Sequence, residues 1–156
     1  MAPNNKPCLL AFLLLAAWLL TACQRSTVYF QCKDTAEGGW EKNDTLVFDT
    51  QPMSADATYQ EEVALRISNN YPFMRLTLIV QQTVYPAGHT TTDTLDCHLY
   101  DDHGNVLGPG TGLHQFVFPL KPLSLHRGDS LHVTVHHDMK REILPGISSV
   151  GIKVSR

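Results

Sequence analysis

The sequence predicts an all-β domain, an antiparallel β-sandwich of roughly eight to nine strands behind an N-terminal lipoprotein signal peptide. Two stretches, 59–67 and 74–81, alternate apolar and polar residues, as strands with one buried face do. Glycine, proline and asparagine turns separate such runs at roughly 8–15-residue intervals, and no stretch after the leader has the apolar period of a helix. Because the apolar faces are one-sided, we expect two packed sheets instead of a closed barrel.

The leader occupies residues 1–22. A lysine precedes an apolar run at 9–20, which is too short to cross a bilayer core that needs about 20 helical residues. The run ends in Leu-Thr-Ala-Cys at 20–23, which resembles the bacterial lipobox, in which the cysteine thiol receives diacylglycerol. We therefore predict lipidation of Cys23 and a lipid-anchored domain over 23–156. An ordinary signal peptide with a chance cysteine is the alternative.

A lipid anchor would also predict where the domain works. Acyl chains attach a protein stably because each buried methylene contributes about 0.8 kcal/mol. The tether that follows Cys23 is very short, since an apolar stretch that reads as the first strand already begins at Val28. We expect a domain held close to the lipid of the cell membrane or outer membrane and facing the periplasm.

The first half of the domain is predicted to contain four strands. The first two cover 28–30 and 45–49, and the two alternating stretches supply the others. A turn at 69–72 separates the alternating stretches, which together predict an antiparallel hairpin. The leucines expected in the core from these faces are Leu65, Leu76 and Leu78.

Further strands are predicted at 95–100, 116–118, 130–137 and 150–154. The acidic stretch from Asp101 to Asn105 lacks the spacing of an EF-hand calcium loop, so it favours a plain turn.

Two cysteines remain in the mature chain, Cys32 and Cys97. An exported domain permits a disulfide, and these two residues could form one. Cys97 also alternates with Leu95 and Leu99, which is typical of a small buried side chain on a strand. The sequence leaves both possibilities open, because it does not give the distance between the two residues.

The candidate chemistry in the sequence is weak. His132 and His136 share a strand face, but four residues of strand separate their Cα atoms by roughly 13 Å, too far to share one metal ion easily. No nucleophile elbow, phosphate loop or paired-cysteine motif occurs. The net charge is −3 and no basic run is present, which argues against a nucleic-acid partner. We therefore expect a non-enzymatic protein without a cofactor, a metal or a small-molecule substrate.

A series of short motifs resembles the gliding-motility lipoprotein family GldH of Bacteroidota. The resemblance covers nearly the whole mature chain, because the motifs occur in the family's order. It implies a non-enzymatic lipoprotein of the envelope machinery for gliding and the protein secretion linked to it. At 139–141 this chain reads Met-Lys-Arg, whereas the family pattern has Arg directly after Met. The matching pieces are the lipobox, Val28-Tyr29, Gly39-Trp40, 44–48, 66–73, 104–110, 139–147 and 150–152.

Two classes of function are consistent with these observations. The first is an accessory or structural lipoprotein of the motility and secretion machinery, with other envelope proteins as partners. The alternative is a surface glycan-binding lipoprotein, which would favour exposed aromatic side chains and an acidic export signal after the lipidated cysteine. Trp40 is the one tryptophan of the mature chain, and residues 24–30 contain no acid, so both observations favour the first class.

The segment 139–147 is the predicted partner-binding site. Alternation stops near His137 and resumes at about Ser149, so we expect a loop between the last two strands. Apolar residues with a Lys-Arg pair and a Pro-Gly turn resemble interface composition, although the apolar residues could instead cap the core. The candidate contact residues are Met139, Lys140, Arg141, Leu144, Pro145 and Gly146.

Overall fold

The computed structural model describes residues 26–156, so the predicted signal peptide and Cys23 lie outside the described residues. Within this range the chain forms strands and no helix, as the sequence predicts. Accordingly, no described segment is a helix long and apolar enough to cross a membrane. The strands are β1 Thr27–Asp34, β2 Trp40–Glu41, β3 Leu46–Asp49, β4 Ala57–Ser68, β5 Arg75–Tyr85, β6 His89–His98, β7 Leu113–Pro119, β8 Leu123–Leu125, β9 Ser130–His137, β10 Ile143–Leu144 and β11 Ile147–Ser155.

The strands form two main antiparallel sheets and a small ribbon. The first sheet has the order β1-β11-β4-β7, and β8 pairs with the start of β4. The second sheet has the order β3-β9-β5-β6, while β2 and β10 form the ribbon. The alternating strands turn their apolar faces toward a common core, which confirms the predicted antiparallel sandwich. Three of the strands have only two or three residues, which explains why the sequence predicts fewer strands than the structure contains.

The predicted hairpin of the two alternating stretches is wrong. β4 pairs with β7, β8 and β11 in the first sheet, whereas β5 pairs with β6 and β9 in the second. Residues 69–74 therefore cross from one sheet to the other. The crossover is held by Tyr71, which is buried and donates its hydroxyl to the carbonyl of Arg75 at 2.8 Å. Alternation identifies the buried face of a strand, but it does not identify the neighbouring strand.

The predicted core leucines are confirmed. Leu65, Leu76 and Leu78 are at most 2% exposed. Met74, expected on the same face as Leu76, is instead 46% exposed, because β5 begins one residue later and Met74 belongs to the crossover.

The two cysteines lie in different sheets and both are free thiols. Cys32 is exposed on β1, and Cys97 is buried on β6, as its alternation with two leucines predicts. Burial raises the pKa of the Cys97 thiol to about 12.

The connections between strands gather at two opposite ends of the sandwich. The near end holds residue 26, where the described chain begins, together with the connections 50–56, 85–88 and 126–129. The far end holds 35–39, 69–74, 99–112 and 138–146. β1 runs from the near end to the far end.

Candidate functional site

The candidate partner segment 139–147 is tied into the fold at several points. It is not entirely a loop, because β10 pairs with β2 and the last strand begins at Ile147, two residues earlier than predicted. Alternation could not reveal a strand of two residues, since two residues do not define a period. We call residues 138–146 the far-end loop.

Trp40 is the centre of the contacts beneath this loop. Its side chain is fully buried, and its indole N–H donates to the carbonyl of Asp44 at 2.9 Å. The ring of His137 packs edge-on against it, with the ring centroids 5.3 Å apart. Across the ribbon, Trp40 pairs with Leu144, which is also fully buried.

His137 joins the far-end loop to the Trp40 strand. One ring nitrogen, Nε2, lies 3.2 Å from the carbonyl of Trp40, and Nδ1 lies 3.4 Å from the backbone N–H of Met139. Burial lowers the pKa of His137 below its usual value, so the neutral ring is favoured. The neutral ring fits both contacts, with Nδ1 accepting from Met139 and Nε2 donating to Trp40.

Lys42 adds a second connection to the same loop. Its ammonium donates to the carbonyl of Met139 at 2.9 Å and lies 3.5 Å from the carboxylate of Asp138. Its backbone N–H donates to the carbonyl of Glu142 at 2.8 Å. The loop is thus bonded to the β2 segment through both backbone and side chain.

Gly146 fixes the other side of the loop. Its φ is +81°, a conformation that other residues adopt at a cost, and a Cβ there would collide with the backbone of Tyr71. Its carbonyl accepts the N–H of Ser68 at 2.7 Å. The Pro145–Gly146 turn therefore lies directly against the crossover between the sheets.

The glycine-containing loop at 104–112 docks on the crossover as well. His114 lies 2.9 Å from the side-chain oxygen of Asn69 and 3.2 Å from the carbonyl of Gly108. A Cβ on Gly108 would approach the ring of Phe116 to 2.7 Å, so only glycine allows this close approach. The far end is consequently a set of mutually bonded segments.

The six predicted contact residues differ in exposure. Lys140 and Arg141 are exposed, Met139, Pro145 and Gly146 are half-buried, and Leu144 is fully buried. Leu144 therefore holds the loop in place and has no surface to offer a partner. Sequence reasoning missed Ile143, which is 45% exposed beside Arg141. In β10, Ile143 is exposed and Leu144 is buried. This difference could be predicted only if the pairing of β10 with β2 were already known.

The other candidates from the sequence have ordinary structural roles. His132 contacts the carboxylate of Asp49 at 2.7 Å, and no three metal-ligating side chains converge anywhere in residues 26–156. Asp101 caps its own turn by accepting the N–H groups of His103 and Asn105, and these bonds lower the pKa of its carboxyl. Trp40 exposes no ring face on which a sugar could stack.

The comparison with protein families identifies the family of this chain. The family model described as GldH lipoprotein matches residues 27–154. This chain belongs to the GldH lipoprotein family.

One GldH relative gives a closer measure of the similarity. The gliding motility lipoprotein GldH of Flavobacterium johnsoniae is 37% identical over 98 residues, which are 63% of this chain. The same alignment spans 60% of the relative's length. The resemblance that the sequence motifs indicate is thereby confirmed.

Two solved structures are distant matches to this GldH-family domain. A 4-O-methyl-α-glucuronidase of family GH115 is 14% identical with a TM-score of 0.48, over 85% of this chain and 18% of that one. Eiger TNF from S. frugiperda is 10% identical with a TM-score of 0.34, over 83% of this chain and 87% of that one. At this level neither structure bears on function.

The motifs shared with the GldH family concentrate at the far end. Gly39-Trp40 pairs with the far-end loop, the far-end loop bonds to Ser68 next to the crossover, and the glycine-containing loop bonds to the crossover through His114. A polar groove of about 500 Å³ lies at this end, and its lining includes Asp34, Glu37 and Gly146. Several of the motifs are thus joined through contacts at the far end.

Proposed function

We propose that this GldH-family chain is a non-enzymatic accessory or structural component of the gliding machinery and of the protein secretion linked to it. Family membership supports a lipoprotein of gliding motility. In this proposal residues 1–22 are removed, Cys23 carries the lipid, and the domain 23–156 faces the periplasm. Its partners are other envelope proteins, and the far end contacts them.

The main structural support for a role in protein contacts is that the far-end loop is rigidly held and exposes a defined set of side chains. Its interior side chains, Leu144 and Met139, pack on the core, while Lys140, Arg141 and Ile143 face solvent. The bonds from Lys42, His137 and Ser68 hold the backbone in place. A surface that is already ordered loses little conformational entropy on binding, which favours association.

The composition of that surface also supports a protein partner. A basic pair beside an exposed isoleucine combines an apolar contact with charged hydrogen-bond donors, and arginine is enriched at protein interfaces. The basic pair would orient an acidic patch on the partner and raise its association rate. Glu142, exposed in the same loop, offsets one of the two positive charges.

The test is affinity purification of the tagged protein from membranes, with the double variant Lys140→Ala/Arg141→Ala. A control is Lys121→Ala/Arg127→Ala, which removes one Lys and one Arg that are also exposed but lie at or toward the near end, Lys121 beside the carboxylate of Asp93. We expect the far-end variant to recover fewer envelope proteins, while the control recovers the wild-type set. Equal recovery by both variants would remove the far-end loop as the contact site.

Lipid attachment has its own test. Replacing Cys23 with Ser removes the thiol that would accept the diacylglycerol. We expect the wild-type protein to incorporate labelled palmitate and the variant to incorporate none. Unchanged labelling of the variant would contradict Cys23 as the attachment site.

A further inference from the structure

The near end of the sandwich carries an exposed, uncharged hairpin tip. β5 and β6 are joined through Tyr85, Pro86, Ala87 and Gly88, and the N–H of Gly88 closes the turn on the carbonyl of Val84 at 2.7 Å. Tyr85 is 50% exposed, and the three residues that follow it are also exposed. The tip thus presents an aromatic ring, a proline and an alanine to the surroundings without any charged side chain.

Two acidic side chains at the near end accept hydrogen bonds from the backbone. Asp56 accepts the N–H of Arg127 at 2.6 Å, and Asp129 accepts the N–H of His126 at 2.8 Å. The Arg127 side chain is exposed at the same end, and so is Arg156. An end that exposes a tyrosine ring and two arginines resembles the side chains that favour the headgroup layer of a bilayer, where tyrosine rings and basic groups are enriched.

The short tether between Cys23 and β1 brings the near end of the sandwich close to the lipid surface. Only four residue steps separate Cys23 from Thr27, the first residue of β1, and an extended chain covers at most about 3.3–3.6 Å per residue. The Cα of Thr27, where β1 begins, therefore lies within about 14 Å of the Cα of Cys23, the proposed site of acylation. The hairpin tip lies at that same end, because β5 ends there, whereas the far-end loop lies at the other end of β1.

We propose that the tip 85–88 is a second, non-covalent contact of this domain with the phospholipid surface. The acyl anchor supplies the attachment, and the tip restricts the domain's orientation, so that the far end points away from the bilayer toward its protein partners. This inference rests on the proposed lipidation of Cys23. The occupant is a bilayer surface, because the tether brings that surface to the near end regardless of any protein partner.

The experiment places tryptophan reporters at the two ends of the mature, acylated protein, in which Trp40 is the natural tryptophan. Tyr85→Trp and Ala87→Trp report on the near-end tip, and Leu107→Trp reports on the far end, where Leu107 is 57% exposed. Each variant is reconstituted into vesicles of phosphatidylethanolamine and phosphatidylglycerol whose acyl chains are brominated near the headgroup. The wild-type protein, whose Trp40 is buried at the far end, provides the background emission.

We expect bromine to quench the emission at positions 85 and 87 and to leave position 107 unchanged. Thermal unfolding of each variant first verifies that the fold is intact. Equal quenching at both ends, or none at the tip, overturns the proposal. The position-85 variant is also measured in detergent, without vesicles, at increasing protein concentration. If its emission shifts with concentration and bromine does not quench it in vesicles, the tip contacts a second copy of the chain. That result also overturns the proposal.

Mass spectrometry of the intact protein tests the acylation of Cys23 separately from the contact between the tip and the bilayer. A mature protein without acyl chains on Cys23 contradicts the anchoring and the tip contact together. An acylated protein with an unquenched tip contradicts only the tip contact.

Discussion

The two ends of the sandwich are built in opposite ways. At the far end, four connections are bonded to one another around buried Trp40, His137 and Tyr71, and the charged side chains stand on top of this fixed base. At the near end, the 85–88 tip is held mainly by its own hairpin, and its side chains are exposed. This contrast fits the two proposals, in which the far end binds a specific protein surface and the near end contacts lipid with little specificity.

The largest expected effect tests the buried base of the far end. Trp40→Ala should lower the free energy of unfolding by about 3–5 kcal/mol, because it leaves a large cavity and removes the packing partner of His137. The near-end counterpart, Tyr85→Ala, should change it by less than about 0.5 kcal/mol, since half of that side chain already contacts solvent. Denaturant unfolding measures both. Similar losses at the two positions would contradict the contrast between the ends.

A buried carboxyl group gives the next largest effect, toward the near end of the core. Glu61 is fully buried on β4, neither carboxyl oxygen has a hydrogen-bond partner among the described residues, and burial raises its pKa to about 7 from 4.5. The nearby Gln82 opposes this shift, and Asp93 adds to it. The folded state thus holds an extra proton on Glu61 between these pH values, so the contribution of Glu61 to stability is greatest below pH 4.5 and is lost as the pH rises from 4.5 through 7.

The expected loss over that window is about 3 kcal/mol, at 1.36 kcal/mol per unit of pKa. Glu61→Gln cannot ionise and should remove this slope, which urea unfolding across the pH range measures. Glu62→Gln, the next residue along and paired with Lys153 on the outer side, serves as the control that keeps the slope produced by Glu61. An unchanged slope in Glu61→Gln would show that the carboxyl is solvated.

Two glycines with similar backbone conformations, one at each end, allow a finer comparison of how tightly the two ends are packed. Gly146 and Gly88 have φ values of +81° and +70°, so alanine should cost about 1–2 kcal/mol at either position. At Gly146 the new Cβ also meets the backbone of Tyr71, whereas at Gly88 nothing lies within 4 Å. We therefore expect Gly146→Ala to exceed Gly88→Ala by about 1–3 kcal/mol in thermal or denaturant unfolding. Equal costs would mean that the far-end loop is free to move away from the crossover.

The smallest effect concerns the exposed pair on the far-end loop. Lys140→Ala/Arg141→Ala should change the free energy of unfolding by less than about 0.5 kcal/mol, because neither side chain is buried. Leu144→Ala, in the same loop, should cost about 2–5 kcal/mol, since it is fully buried. If the double variant were as destabilising as Leu144→Ala, its effect on partner recovery could not be assigned to binding.

The sequence predicted the buried faces better than the arrangement of the strands. The alternation in β4 and β9 identifies their inward residues, because every second side chain of a strand shares a face. It could not predict that β4 and β5 belong to different sheets, since the same alternation suits a hairpin and a crossover. The decisive contact, between Tyr71 and the backbone of Arg75, exists only after the crossover has formed.

The candidate site was predictable only in part. Lys140 and Arg141 stand out because charged residues interrupt an apolar segment, and the structure leaves them exposed. The base beneath them was not predictable, because Trp40, His137 and Gly146 are distant in sequence and meet only through tertiary packing. His137 directly follows His136 at the end of β9, but His137 is buried whereas His136 is only half-buried.

The place of β11 has a consequence for how the protein can be made. β11 lies between β1 and β4 and pairs with both, so the first sheet lacks its centre until Ile147–Ser155 is available to pair. β1, next to the proposed lipid site, thus depends on a strand more than 110 residues later in the chain as its neighbour. Such long-range pairing makes folding slow compared with local pairing, and it leaves a chain truncated before Ile147 without a complete core.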